Sequence, residues 1–262
     1  MIDLRNNLLI LAVYIIDLLR RYSAIYTKRG AIMTKPVITF RYLFDPFCGW
    51  CYASAPALAT LADIWGEKLH MMPSGLFTNA GACAVAAIAD HAWRNDQRIE
   101  RLTGQVFSKA YERDVLGNSQ GVFDSGNATR ALIALGRINS ALESRFLHSV
   151  QVARYVAGRD TTLAQEVATV AVKIAAEAGI RLDEAEFARS LVSDAGWETE
   201  TQKRISSSNK LMQRLSVSGV PLLVMTVDGV DHLIHGEALY GGASALNSAI
   251  DTILSSSNAI SN

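Results

Sequence analysis

The sequence has little cysteine and no net charge, and each shortage excludes a class of protein. Only three of the 262 residues are cysteine, too few for a secreted domain held together by disulfides. The 25 lysine and arginine residues balance 25 aspartate and glutamate residues and are spread along the chain, which disfavours nucleic-acid binding. Half of the residues are hydrophobic and 19% are charged, a composition typical of globular rather than disordered proteins.

The sequence also lacks an apolar run long enough to cross a bilayer. The strongest candidate, residues 8–19, includes Asp17, whereas a transmembrane helix needs about 20 apolar residues. Only Arg5 precedes this run and four basic residues follow it, unlike a secretory signal. We interpret residues 1–32 as an N-terminal extension upstream of a start at Met33, and predict a cytoplasmic protein without membrane association. A periplasmic or membrane-tethered protein is the alternative if the apolar segment is functional.

The two ends of the remaining chain have β-strand character. Residues 37–44 (VITFRYLF) predict a buried strand, and residues 68–72 predict a second one. A helix is expected between them, with a kink at Pro56. This strand–helix–strand unit implies parallel strands. Towards the C-terminus, two apolar runs split by Asp228-Gly229 predict a β-hairpin, followed by a helix over residues 237–254.

The middle of the chain is predicted to be helical. Capping residues and glycines separate six segments of helical composition: 82–95, 97–113, 128–157 (one helix or two), 161–178, 184–192 and 197–215. Because the β-containing ends can form one sheet, we predict an α/β fold made of an N-terminal half, a helical insertion and a C-terminal half. Their expected limits are 37–78, 79–215 and 216–256.

Cys48 and Cys51, separated by Gly49 and Trp50, form the most informative motif. Cys48 follows a predicted strand and begins a helix, where unpaired backbone amides favour a thiolate over a thiol. Since the thiolate is the nucleophile of disulfide exchange, Cys48 is the expected attacking residue and Cys51 the resolving one. Gly49 and Trp50 are expected to shape the docking surface. Asp45, just upstream, is expected to cap the turn rather than modulate cysteine ionisation.

Two other interpretations of the cysteine pair stay open. A structural zinc site needs about four ligands, and neither Cys83 nor the histidines have suitable spacing, so no metal is expected. The histidines are His70, His91, His148, His232 and His235. Alternatively, the pair is buried and inert, because free cysteine often behaves as a core hydrophobe. Cys83, among alanines in a predicted helix, is expected to be such a core residue.

Pro221 is the second informative position. It opens a predicted strand, and proline there suggests an edge, a bulge or a special turn because it cannot donate to the sheet. Only ~5–6% of X–Pro bonds in folded proteins are cis, so the residues alone leave the isomer open.

Two motifs resemble thioredoxin-fold dithiol oxidoreductases of the DsbA type. They are YLFDPFCGWCYASAP at 42–56 and SGVPLLVM at 218–225, and the first is most similar to a DsbA-like, FrnE-like branch of predicted cytoplasmic protein-disulfide isomerases. The resemblance implies a thioredoxin-like fold over residues 37–256, with Cys48 as nucleophile and Cys51 as resolving cysteine. It also implies a cis bond before Pro221, with the Val220 backbone facing the disulfide and pairing with an extended substrate strand.

The expected activity is therefore thiol–disulfide exchange with protein thiols and disulfides as substrates. No metal or organic cofactor is required, and glutathione or a thioredoxin-type reductant is a further expected partner. Two alternatives remain. One is a glutathione-dependent isomerase of small molecules with a related fold, whose members are expected to carry serine in place of Cys48. The other is a non-enzymatic, chaperone-like module.

Overall fold

The computed structural model describes residues 36–260, so the expectations for residues 1–32 lie outside it. Within the described range, six strands form one four-stranded and one two-stranded sheet. They are β1 (Ile38–Phe44), β2 (Leu69–Pro73), β3 (Cys83–Ala84), β4 (Val122–Phe123), β5 (Leu222–Val227) and β6 (Val230–Ile234).

The larger sheet joins the two ends of the described chain in the strand order β2-β1-β5-β6. β1 pairs in parallel with β2 and antiparallel with β5, so the predicted parallel unit and the shared sheet are confirmed. Leu43 is paired with Leu222. This register places the C-terminal end of β1 beside the N-terminal end of β5, where the two informative motifs lie.

A tight turn joins β5 to β6, as the sequence predicts. Asp228 and Gly229 have positive φ angles of 50° and 86°, the geometry of a type I′ hairpin turn. Asp and Gly are residues that adopt this left-handed region at low cost, so the Asp-Gly pair specifies the hairpin.

The helix after β1 is divided in two: α1 (Gly49–Ala53) and α2 (Ala55–Trp65). Pro56 lies in the first turn of α2, where a missing N–H has no cost, rather than in a helix interior. The predicted kink is therefore a break at Ser54, whose hydroxyl donates to the Trp50 carbonyl oxygen at 3.0 Å. A short 3₁₀ turn, Gly66–Lys68, leads into β2.

Helices dominate the segment between β2 and β5. They are α3 (Val85–Thr103), α4 (Gly126–Ile138), α5 (Ala141–Tyr155), α6 (Ala164–Glu177), α7 (Glu184–Ser193) and α8 (Ala195–Arg214), and we call them the helical block. The segment also contains a 3₁₀ turn at Asn79–Gly81 and a π-helical turn at Tyr111–Leu116. The chain closes with α9 (Glu237–Tyr240) and α10 (Gly242–Ile260) instead of one continuous helix.

Two expectations for the helical block are wrong. The predicted helices 82–95 and 97–113 are one helix, α3, which ends where Gly104 adopts a left-handed φ of 76°. The composition before and after Gly104 is equally typical of a helix, so only this glycine marks the end of α3. Cys83 is not a helical core residue, because it lies in β3 opposite Phe123 and is partly exposed.

Arg204 joins two helices of the helical block to each other and to the sheet. Arg204 of α8 donates from two nitrogens to the Glu143 carboxylate of α5, both at 2.8 Å, and also donates to the Met71 carbonyl oxygen of β2. Glu143 is buried. Among residues 36–260, no helix is both long and apolar enough to span a membrane.

Arg204→Met should destabilise the protein by on the order of 3 kcal/mol, because it leaves the buried Glu143 carboxylate without its cation. The free energy of unfolding in urea measures this cost. Arg145→Met is the matched control, since its pair with Glu177 is about half exposed (45% for each side chain), and such pairs contribute ~0–1 kcal/mol. Equal effects of the two substitutions would contradict the proposed attachment.

Candidate active site

The turn between β1 and α1 positions the first cysteine. Cys48 is the residue that precedes α1, with an extended backbone (φ −82°, ψ 116°). Its amide donates to the Asp45 carbonyl oxygen at 3.1 Å, and its own carbonyl oxygen accepts from Cys51 and Tyr52 at 2.9 and 3.1 Å. Cys48 therefore lies at the beginning of the helix, as expected from the sequence.

The two cysteines differ in their exposure to solvent. Both are free thiols; Cys51 is fully buried, whereas Cys48 retains 8% of its surface. Burial, reinforced by the neighbouring Cys48, raises the pKa of the Cys51 thiol well above its usual range. The Tyr42 hydroxyl of β1 also lies against this residue, 3.5 Å from the Cys51 carbonyl oxygen. Cys48 is thus the member of the pair that a substrate can reach first.

The second motif lies directly beside Cys48. The Cys48 Sγ lies 3.7 Å from the Val220 carbonyl oxygen, to which it can donate a weak hydrogen bond. The Val220–Pro221 peptide bond is cis, the isomer that the resemblance implies. The pairing of β1 with β5 brings these residues together although 172 positions separate them in the sequence.

Asp45 caps the turn from inside the protein. Its Oδ1 accepts from the Phe47 amide at 2.9 Å. Its Oδ2 accepts from the Phe77 amide at 3.0 Å and the Ser125 hydroxyl at 3.1 Å. Burial raises the pKa of this carboxyl, and the three hydrogen bonds oppose that shift. These contacts match the expected capping role and also attach the turn to the helical block.

Trp50, which lies between the two cysteines in the sequence, contacts a second aromatic residue. The ring centroids of Trp50 and Tyr240 are 5.0 Å apart with a tilt of 46°, and both side chains are half-buried. Sequence analysis singled out Trp50 but missed Tyr240 of α9. No signal in the sequence indicated this contact, because only the fold brings α9 to α1.

Helix α3 covers the inner side of Gly49. A Cβ atom at position 49 would lie 2.5 Å from the Asp96 Oδ1 and 2.9 Å from the Ile99 Cδ1, far closer than van der Waals contact allows. Asp96 is itself buried and accepts from the Tyr111 hydroxyl at 3.1 Å. Sequence analysis missed this carboxyl, which lies on the helical block rather than near the motif.

The helical block also holds the residue that precedes Cys48. The Tyr155 hydroxyl donates to the Phe47 carbonyl oxygen at 2.7 Å. The buried Arg154 guanidinium lies 3.9 Å from the centre of the Phe47 ring and 4.7 Å from that of Phe123, a cation–π arrangement. The reactive turn is therefore packed between the sheet and the block.

Solved structures share this fold, and two of them are of a protein named for disulfide reduction. The chain is 29% identical to the cytosolic disulfide reductase DsbM of Pseudomonas aeruginosa, with a TM-score of 0.67 over 82% of this chain and 98% of that one. The structure of DsbM with GSH matches at 28% identity and a TM-score of 0.66, with the same coverage. A structure from Nitrosomonas europaea (24% identity, TM-score 0.63, 85% and 99% coverage) shows the same fold. A search among curated proteins finds no significant match.

The mixed sheet, the helical block between its halves and the cysteine pair at the end of β1 define a thioredoxin-like fold with a helical insertion. The chain belongs to the family of DSBA-like thioredoxin domains, whose sequence model matches residues 41–245. It is therefore an enzyme of the DsbA-like thiol–disulfide oxidoreductase class.

Gly49→Ala should lower the free energy of unfolding by ~1–3 kcal/mol, because the added methyl group forces Asp96 and Ile99 to move. Thermal or urea unfolding measures the change. Gly66→Ala is the control, since nothing lies within 4 Å of a Cβ at that position, and it should be neutral or slightly stabilising. If both variants have wild-type stability, α3 does not exclude side chains from position 49.

Proposed function

We propose that Cys48 and Cys51 exchange disulfides with protein substrates. The observation that carries this proposal is the asymmetry of the pair: Cys48 retains 8% of its surface and has its sulfur 3.7 Å from the Val220 carbonyl oxygen, whereas Cys51 is fully buried. In the reducing direction, the Cys48 thiolate attacks a substrate disulfide, forms a mixed disulfide and releases one substrate thiolate. Cys51 then loses its proton and attacks the Cys48 sulfur, which releases the second substrate thiolate and leaves the enzyme as a disulfide.

Counted from the dithiol enzyme to two substrate thiols, two electrons and two protons pass to the substrate, with the Cys48 proton passing through solvent. The reverse sequence oxidises a substrate dithiol. The sulfur atoms carry every electron, so the reaction needs no metal or organic cofactor. Burial raises the pKa of the Cys51 thiol, so this thiol stays protonated while the mixed disulfide forms. Cys51 therefore attacks the Cys48 sulfur, and releases the substrate, only after the substrate is bound to Cys48.

The surface around Cys48 is proposed to bind the substrate backbone. Val220, just before the cis-proline, presents a carbonyl oxygen to the sulfur, and a substrate strand could hydrogen-bond there in an extended conformation. Pro221 has no N–H to compete for this contact. Trp50, whose ring lies tilted against that of Tyr240, would contact substrate side chains, and Gly49 would allow α1 to lie against α3.

The relatives support a reducing role in the cytoplasm. The DsbM protein at 29% identity is named a cytosolic disulfide reductase, and a similar structure contains GSH. We infer that this enzyme also acts as a reductase or isomerase of protein disulfides in a reducing compartment, with glutathione or a thioredoxin-type protein returning it to the dithiol form. The chaperone-like alternative has no specific support in the structure.

Cys48→Ser should reduce the rate of insulin-disulfide reduction to the uncatalysed level, because the attacking sulfur is lost. Cys51→Ser should still attack but accumulate a mixed disulfide, visible as a larger species on a non-reducing gel. Cys83→Ser is the control and should keep wild-type activity, since Cys83 lies in β3, outside the Cys48–Cys51 motif. Unchanged activity in Cys48→Ser would overturn the proposal.

Glutathione distinguishes exchange from the alternative isomerase activity. With the dithiol enzyme, oxidised glutathione should be consumed and yield two reduced molecules per enzyme disulfide formed, a stoichiometry that mass spectrometry and thiol titration measure. Cys48→Ser should abolish this consumption. Tight, saturable calorimetric binding of reduced glutathione by both proteins, without any disulfide exchange, would favour the isomerase instead.

A further inference from the structure

A buried carboxyl lies directly behind the dipeptide that separates the two cysteines. Asp96 of α3 is 3% exposed, and its Oδ1 lies 2.5 Å from the position that a Cβ of Gly49 would occupy. Its other oxygen accepts from the Tyr111 hydroxyl at 3.1 Å. The exchange reaction described above gives this residue no role, yet burying a carboxyl at this place costs free energy.

Several titratable or charged groups face Asp96 from the surrounding elements. Tyr111 of the π-helical turn donates to it, and Arg154 of α5 lowers its pKa through its positive charge. The Tyr155 hydroxyl, also of α5, is close enough for Asp96 to raise its pKa. Gly49, against which Asp96 lies, directly follows Cys48 in the chain. Burial outweighs the hydrogen bond and the cation and raises the pKa of Asp96 to about 7.

We propose that Asp96 is a positioning residue of the cysteine pair, whose carboxylate opposes the Cys48 thiolate from behind Gly49 and so makes the enzyme a stronger reductant. The inference rests on the proposed thiol–disulfide exchange. Reduction by two thiol molecules breaks the Cys48–Cys51 bond, joins those two thiols in a disulfide and delivers two electrons and two protons to the enzyme. Asp96 forms no bond in this reaction.

The effect arises because the exchange reaction uses a Cys48 thiolate, which the reduced enzyme can form and the disulfide form cannot. A nearby carboxylate raises the free energy of that charged form and leaves the disulfide form almost unchanged, since like charges repel strongly where water is excluded. The dithiol enzyme therefore gives up its electrons more readily when Asp96 is ionised. By linkage, the protonated carboxyl favours the reduced enzyme, so the redox equilibrium depends on pH around neutrality.

The test is the equilibrium of the enzyme with reduced and oxidised glutathione between pH 5.5 and 8.5. At pH 8.5, Asp96→Asn should shift the equilibrium towards the reduced enzyme by ~3- to 10-fold, because asparagine keeps the shape but carries no charge. At pH 5.5, where Asp96 is protonated, the variant and the wild type should agree. Asp90→Asn, at an exposed position of the same helix, is the control and should follow the wild type throughout.

Tyr111→Phe provides an independent variant that keeps the carboxyl. The Tyr111 hydrogen bond lowers the pKa of Asp96. Its loss should therefore raise the pH at which the redox equilibrium of the enzyme with glutathione changes. If Asp96→Asn does not fold, the Tyr111→Phe profile decides. The inference fails if Asp96→Asn matches Asp90→Asn at every pH or shifts the equilibrium the other way. A wild-type enzyme that does not exchange with glutathione or insulin would instead overturn the proposed function itself.

Discussion

The short buried turn between β1 and α1 determines where both cysteines lie. Asp45 holds it from inside by accepting backbone hydrogen bonds from Phe47 and Phe77, and Tyr155 holds it from the helical block. Each partner matters because an unsatisfied buried polar group costs ~1–3 kcal/mol. The position of the reactive sulfur is thus a property of the sheet and the block together, and neither supplies it alone.

The elements around this turn were largely predictable because their signals are local. A β-branched and aromatic run predicts β1, the Asp228-Gly229 pair predicts the hairpin, and Cys48 with Cys51 predicts the redox motif. The ends of the helices were less predictable. Composition stays helical across Gly104, so the end of α3 depends on one left-handed glycine. A proline inside a helical run predicts a kink, whereas Pro56 lies in the first turn of α2, where proline favours the start of a helix.

The surroundings of the cysteine pair were not predictable, for a different physical reason. Asp96, Arg154 and Tyr240 reach the site only through tertiary packing, and each has an ordinary local sequence. A buried acid is indistinguishable from a solvated one in a helix of mixed polarity such as α3. Resemblance to a family pointed to Cys48 and Pro221, but the helical block contributes contacts that a motif of fifteen residues (42–56) cannot describe.

The separation of Cys48 and Val220 along the chain has a consequence during synthesis on the ribosome. Proteins are made from the N-terminus, at about 5–20 residues per second, and 172 positions lie between the sulfur and its carbonyl neighbour. The nascent polypeptide therefore exposes its thiols several seconds before β5 arrives to complete the central sheet. Until then the Cys48 sulfur has no Val220 carbonyl oxygen beside it, so the surroundings of the cysteine pair are completed only after β5 has been made.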